Sequence, residues 1–247
     1  LSVLIVIPAR HASVRLPGKP LLAETGKPLI QHVYEAAARV RGATVLVATD
    51  DARIERAVLG FGGAAVMTDP GHSTGSARVA EAAAGTPARI IVNVQGDEPE
   101  LEPAAIETLI ETHERAQASA RPAFASTLVS AFPQDADPDD PDTVKAVLSE
   151  PDEDGLRSAL YFSRSRLPFP RGEGAAPLLH IGSYAFSAET LQAFARLPRT
   201  PLERTESLEQ LRILEHGHRI AAAIVPPAAP GIDTPADYAR FVARQRR

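Results

Sequence analysis

No cysteine occurs in the 247 residues, which removes disulfide frameworks, thiolate metal sites and thiol catalysis together, and fits a reducing cytosol. A cationic excess is missing as well. Lys and Arg number 26 against 31 Asp and Glu, a formal net charge of −5, so no general attraction to nucleic acid or to an anionic membrane is expected. No apolar run nears the ~18 residues that a membrane span needs. The first residues enter a strand-like segment without a basic n-region or a long apolar core, so no secretory signal is expected. Two common nucleotide signatures fail. Gly18-Lys19 is followed by Pro20, where a Walker A loop needs Ser or Thr to hold magnesium. The Gly-x-Gly-x-x-Ala match at Gly60, Gly62 and Ala65 follows a helix and precedes a strand, the reverse of a dinucleotide site, and a helix-ending glycine explains it.

What is present is an alternation. Hydrophobic residues make up 44% of the chain, enough for one large domain or for two that share a sheet. Strand patterns at 2–7, 44–49, 64–68 and 89–95 alternate with helical patterns at 29–40, 51–60, 75–84 and 103–117, and the Val- and Ile-rich strands read as buried on both faces. The expected class is α/β, a doubly wound, mostly parallel sheet that would bind ligands outside the carboxyl ends of its strands. Past residue 120 the segments 123–132, 143–149, 156–163 and 178–187 are strand-like and separated by Asp, Pro and Gly clusters, which predicts an antiparallel lobe with an exposed loop at 133–142. Helices at 188–196 and 205–216, a strand at 219–225 and a helix from 235 complete the expectation. It is a single domain over 1–247, with a parallel α/β half at 1–120, a lobe at 121–220 and a return to the core at 221–247.

Against the acidic background, "PARHASVRLPGKP" gathers Arg10, Arg15 and Lys19 directly after the first strand, a local anion site suited to a small ligand. His11 and Val14 read as spacers between the cations. "NVQGDEP" ends the strongest apolar strand with Gln95, Gly96, Asp97 and Glu98, where a phosphate-bound divalent cation would sit. Magnesium takes one or two carboxylates plus phosphate oxygens and water, and a solvated loop is the bland alternative. Asp233, before the helix opened by Thr234-Pro235, is a second carboxylate that could converge on the same ion or simply cap the helix. "GHSTG" at 71–75 fits a nucleophile-elbow pattern centred on Ser73, but Asp69-Pro70 intervenes and a helix N-cap at Thr74 explains it as well. Arg164, Arg166, His180, Tyr184, Glu209 and Gln210 form a later polar set that by default would be core or surface. His216 and His218 read as partners of a helix C-terminus.

Taken in order, "IPARHASVRLPGKPL", "VATDD", "HSTGSAR", "NVQGDEP", "YFSR", "HIGSYAF", "LEQLR" and "GIDTPADY" resemble the 3-deoxy-manno-octulosonate (Kdo) cytidylyltransferases over residues 3 to 242. The first block and "GDEP" are shared in looser form with CMP-sialic acid synthetases, so Kdo rests on the later blocks. The resemblance implies a nucleotidyltransferase fold with a sugar-binding and dimerisation lobe, and a cytoplasmic homodimer. That enzyme would join CMP from CTP to Kdo, with magnesium, and release pyrophosphate for lipopolysaccharide biosynthesis. It implies that Arg10, Arg15, Lys19 and Asp97 carry the catalysis, the three cations on the triphosphate. It further implies that Ala9, His72, Ser73, Thr74, Gly75, Arg78 and Gln95 belong to the nucleotide site and that Asp97 and Asp233 hold the metal. Arg164, His180, Tyr184, Glu209 and Gln210 would line the sugar-acid site. The alternatives are a cytidylyltransferase for 8-amino-Kdo or a sialic acid, a serine hydrolase, and a nucleotide-sensing module without turnover. The chain departs from the family pattern at Thr74, Ala77, Ser183 and Ala185.

Overall fold

A computed structural model of the chain describes residues 2–12, 15–133, 136–227 and 229–246. Val14, expected as a spacer, lies outside the described residues. The chain divides into two compact units, Leu1–Ile106 with Ala229–Arg247, and Glu107–Ala228.

The first unit is built on strands that read directly from their apolar runs. β1 (Val3–Ala9), β2 (Ala43–Thr49), β3 (Ala65–Met67) and β4 (Ile90–Asn93) lie in the order β3-β2-β1-β4, every pairing parallel. All four residues of β4 are buried, as are Ile5, Val6 and Ile7 of β1, which is why these segments carry no polar alternation. The connections are α1 (Leu29–Ala38), α2 (Ala52–Gly60) and α3 (Gly75–Ala82), with α4 (Pro103–Ala118) running across the division between units. Gly62 follows α2 with φ +84°, the helix-ending glycine that the Gly-x-Gly match disguised.

The second unit holds β5 (Ala125–Ala131), β6 (Lys145–Leu148), β7 (Arg157–Ser163), β8 (Leu178–Ser187) and β9 (Ile220–Val225). Their order is β8-β5-β9-β7-β6, and β6 also pairs with β8, so the pairings run full circle. The expected antiparallel lobe is mixed: β5 and β9 are parallel, the remaining pairs antiparallel. α5 (Ala188–Arg196) matches expectation, but the helix predicted at 205–216 is two, α6 (Pro201–Glu206) and α7 (Gln210–Glu215), broken where Ser207 adopts φ 53°. α8 (Pro235–Gln245) closes the chain in the first unit.

Candidate active site

In the first unit the cationic segment bends at Gly18, whose φ of +68° favours glycine and where a methyl would stand 3.2 Å from the His11 ring. The Gly18 N–H donates to the His11 carbonyl at 3.2 Å, and a 3-10 turn then starts at Lys19. His11 is therefore more than a spacer, since it closes the loop that aims Lys19. The Lys19 Nζ donates to Asp97 Oδ2 at 2.8 Å, to the Ile232 carbonyl at 2.7 Å and to Asp233 Oδ1 at 3.2 Å. Arg15 pairs with Asp233 Oδ2 at 3.0 Å, and Arg10 is exposed just past the buried Ala9.

The two carboxylates meet for a backbone reason. The Ile232 N–H donates to the Asp97 carbonyl at 2.8 Å, zipping together loops far apart in sequence, and the Ile232 side chain is buried among Leu16, Leu29, Tyr238 and Phe241. The helix-capping alternative for Asp233 does not hold. Thr234 is the N-cap of α8: its hydroxyl accepts from the Asp237 N–H, and the Asp237 carboxylate takes the N–H groups of Asp233 and Thr234 in return. The Asp233 carboxylate is thus left to Lys19 and Arg15.

The turn after β4 packs tightly on β1. A methyl on Gly96 would fall 2.9 Å from the Pro8 carbonyl oxygen, and one on Gly75 would lie 3.5 Å from the Pro8 ring and 3.9 Å from the Gln95 amide oxygen. The end of β1, the start of α3 and the turn carrying Gln95 and Asp97 therefore come together at the carboxyl ends of parallel strands, where open α/β sheets bind ligands. Thr74 caps α3, its hydroxyl accepting from the Ala77 N–H at 3.2 Å. His72 pairs with Glu81, which also accepts the Asp69 N–H at 2.9 Å. Ser73 is exposed and β3 stops at Met67, well short of it, so the strand-to-helix elbow of a serine hydrolase does not form. Arg78, expected among the nucleotide contacts, is spent inside the unit: its side chain is 4% exposed, paired with Asp50 at 2.7 Å and bonded to Thr68. It braces the "VATDD" turn against α3.

The second unit organises the later set. β5 and β8 slip register so that Thr127 faces Tyr184 while Leu128 faces Ile181, which leaves Gly182 and Ser183 as a bulge. Four residues of regular strand would hold His180 and Tyr184 about 13 Å apart; here their ring centroids are 5.5 Å apart, and the Tyr184 hydroxyl lies 3.1 Å from His180 Nε2. Phe162 meets the imidazole edge-on at 4.9 Å. Burial pushes His180 down to about 3, so it works as a neutral ring. Arg164 is aimed by Glu206, which accepts its backbone N–H on the carboxylate and its Nε–H on the carbonyl, both at 2.9 Å, while its Nη1 reaches the Pro141 carbonyl at 3.0 Å. Arg166 pairs with Asp139 at 2.9 Å.

The break at Ser207 places Glu209 and Gln210 at the start of α7, and Gln210 is buried, not the surface residue that amphipathic spacing suggests. The corner is held by Glu203 and Arg212, both buried, with Nε to Oε2 at 2.8 Å and the guanidinium 4.8 Å over the Phe194 ring. Burial alone would raise the Glu203 carboxyl; the Arg212 pairing outweighs it and holds it below its ordinary value. His216 meets the Arg212 carbonyl at the end of α7 as expected, whereas His218 instead stacks on Phe124 at 4.5 Å. Thr127, Glu206 and Lys145 escaped sequence reading. Lys145 is fully buried, its Nζ donating to the Asp140 and Thr143 carbonyls at 2.8 Å, so it anchors the acidic loop that Arg164 and Arg166 touch.

Known proteins resemble the chain in sequence and in fold. The cytidylyltransferase family profile matches residues 4–220. The chain is 46% identical to the 3-deoxy-manno-octulosonate cytidylyltransferase of Escherichia coli, over 94% of this chain and 91% of that one. It is also 46% identical to the 8-amino-3,8-dideoxy-manno-octulosonate cytidylyltransferase of Shewanella sp. (strain W3-18-1), over 96% of each. Among solved structures, a CMP-2-keto-3-deoxy-manno-octonic acid synthetase in complex with CTP superposes with a TM-score of 0.91 at 44% identity, covering 100% of this chain and 99% of that one. With the fold, the ordered motifs and these relatives in agreement, the chain belongs to the cytidylyltransferase family, within its manno-octulosonate branch.

Proposed function

We propose that this enzyme transfers CMP from CTP to Kdo, releasing pyrophosphate. The observation that carries the reading is the meeting of Lys19, Arg15, Asp97 and Asp233 at one point of the first unit, two cations interleaved with two carboxylates. That pattern suits a ligand bringing both phosphate anions and a divalent cation. Asp97 Oδ2, Asp233 Oδ1 and the Ile232 carbonyl already surround one positive charge, the Lys19 ammonium, within 3.2 Å. Hard oxygen donors of this kind, two of them carboxylates, fit magnesium, which completes its shell with phosphate oxygens and water. When bound, the ion supplies neutralisation of charge on the phosphate oxygens. Asp97 and Asp233 would hold it.

In this reading Arg10, Arg15 and Lys19 take the triphosphate, and their charge stabilises the phosphoryl oxygens as the anomeric hydroxyl of the sugar attacks the α-phosphorus in line. Ala9, the 72–75 segment and Gln95 recognise the cytidine, with Arg78 holding the frame behind them. In the second unit Arg164 takes the sugar carboxylate with paired hydrogen bonds, and His180, Tyr184, Glu209 and Gln210 take hydroxyls. A nucleoside triphosphate substrate supports a cytoplasmic reaction, and the product would be the activated sugar acid that lipopolysaccharide assembly consumes. For the homodimer that the family resemblance implies, the exposed Leu160, Phe169 and Ile224 of the second unit are large apolar side chains that a second copy would cover.

The experiment is pyrophosphate release by the purified protein with CTP and magnesium, with Kdo and 8-amino-Kdo compared at fixed CTP. Faster turnover of Kdo is the expected result. Preference for the amino sugar moves the protein to the specificity named for the Shewanella relative, and no release from folded protein with either sugar sinks the reading.

A further inference from the structure

The bulge in β8 settles where His180 carries its proton. Thr127 Oγ1 stands 2.9 Å from the Ser183 carbonyl oxygen, 3.3 Å from that of Ile181 and 3.0 Å from His180 Nε2. A hydroxyl has one proton to give, and carbonyl oxygens only accept. If Thr127 gave its proton to the imidazole, its oxygen would face the Ser183 carbonyl at 2.9 Å, lone pair against lone pair, in a buried place. The proton therefore goes to Ser183, and Nε2 must donate to Thr127. A proton given to Nε2 by the Tyr184 hydroxyl instead would set two lone pairs against each other, on Nε2 and on the Thr127 oxygen, at 3.0 Å. The ring is neutral, so it holds one N–H, and Nδ1 keeps its lone pair. Among the described residues no hydrogen bond engages Nδ1, and it does not figure among their sealed, unpartnered polar atoms, in contrast to Nε2 of His113. Phe162 and Tyr184 hold the ring plane.

We propose that Thr127 is a positioning residue that fixes His180 as the Nε2–H tautomer, so that Nδ1 is presented as an acceptor for a hydroxyl of the sugar acid. This rests on the reading of His180 as part of the sugar site. It divides recognition by chemistry: Arg164 takes the carboxylate, which an imidazole lone pair would repel, and His180 takes a hydroxyl proton.

Two measurements test it. Long-range 15N–1H NMR of histidine-labelled protein should show His180 protonated at Nε2 in the wild type and a mixture of tautomers in Thr127→Val. In kinetics, Thr127→Val should raise KM for the sugar about tenfold, the loss of one well-made hydrogen bond, with kcat and the KM for CTP within about twofold; Thr127→Ser should restore both readouts. A wild-type ring protonated at Nδ1, or a Thr127→Val protein with unchanged tautomer and unchanged sugar KM, overturns the proposal. His180→Asn separates the two layers. If it leaves the sugar KM unchanged, the sugar-site reading itself fails and the proposal with it; if it raises that KM while the wild-type tautomer is Nδ1–H, the proposal alone fails.

Discussion

The first unit gathers its candidate site side chains by charge and leaves them partly in water; the second sets neutral hydrogen-bonding groups, most of them buried, beside the charged Arg164 and Glu209. Lys19, Asp97, Asp233 and Arg15 have side chains 14%, 29%, 45% and 52% exposed, on loops that follow parallel strands. His180, Tyr184, Thr127 and Gln210 carry no full charge and sit within or beside a sheet whose pairings close on themselves. The difference follows from solvation. Removing several charges from water costs several kcal/mol per ion, so the site proposed for the triphosphate stays partly open. Neutral donors and acceptors can be enclosed once paired, and enclosure is what gives a polyhydroxylated ligand a fixed pattern to match.

The sharpest way to break this contrast is to remove a charge from the first unit. Asp97→Ala should lower pyrophosphate release by about two to three orders of magnitude, on the order of 3–4 kcal/mol in the transition state, by analogy with the loss of one preorganised electrostatic group. Its melting temperature should stay near that of the wild type, and a loss of only a few fold would remove the carboxylate from the metal role. In the second unit the corresponding change is to stability. Glu203→Gln strands the Arg212 guanidinium, 8% exposed, and should cost about 3 kcal/mol in urea unfolding, as expected when one half of a buried ion pair is taken away.

Acid distinguishes the units next. His180 is held near 3 and His113 near 4, both by burial, so between pH 6.5 and those values the unfolded chain binds protons that the folded chain refuses. Their contribution is complete above pH 6.5 and is lost as pH falls, about 2 kcal/mol for each by pH 5. In the first unit His32 is lowered in the same way, first by burial and then by Lys27, but the carboxylates of Asp51, Glu35 and Glu81 are lowered too and act only below their own ordinary range. Amide exchange in β5 and α4 should therefore loosen at a higher pH than in β1; simultaneous loosening would erase the distinction. The smallest effect is expected at Ser73→Ala, which should leave turnover within about twofold, because that hydroxyl has no elbow to act from.

How much of this is legible in the sequence also differs between the units. β1 and β4 are visible as unbroken apolar runs because both faces are covered, and the cations of 10–19 stand out against an acidic chain. The meeting of Asp97 with Asp233 is open to suspicion from their places after strands, but it depends on one backbone hydrogen bond at Ile232 that no residue pattern announces. In the second unit the sequence conceals more. Thr127 acquires its role from a bulge on the neighbouring strand. Lys145 carries no sequence signal for the enclosure of its ammonium by the Asp140 and Thr143 carbonyls, and Arg78 in the first unit, expected at the nucleotide, is paired with Asp50 inside the unit. The helical pattern over 205–216 runs unbroken through Ser207 because serine gives little sign of a left-handed turn.

Gly96 carries a consequence for mutational tolerance. What excludes a side chain there is the Pro8 carbonyl, a backbone atom of the central strand β1, whereas Gly60, Gly172 and Gly174 face nothing within 4 Å and have no positive φ. In a saturation library selected for function, position 96 should admit no substitute while those three accept alanine freely. The residue beside the Asp97 carboxylate is thus held by the strand it leans on, and any lineage that keeps this turn keeps the glycine.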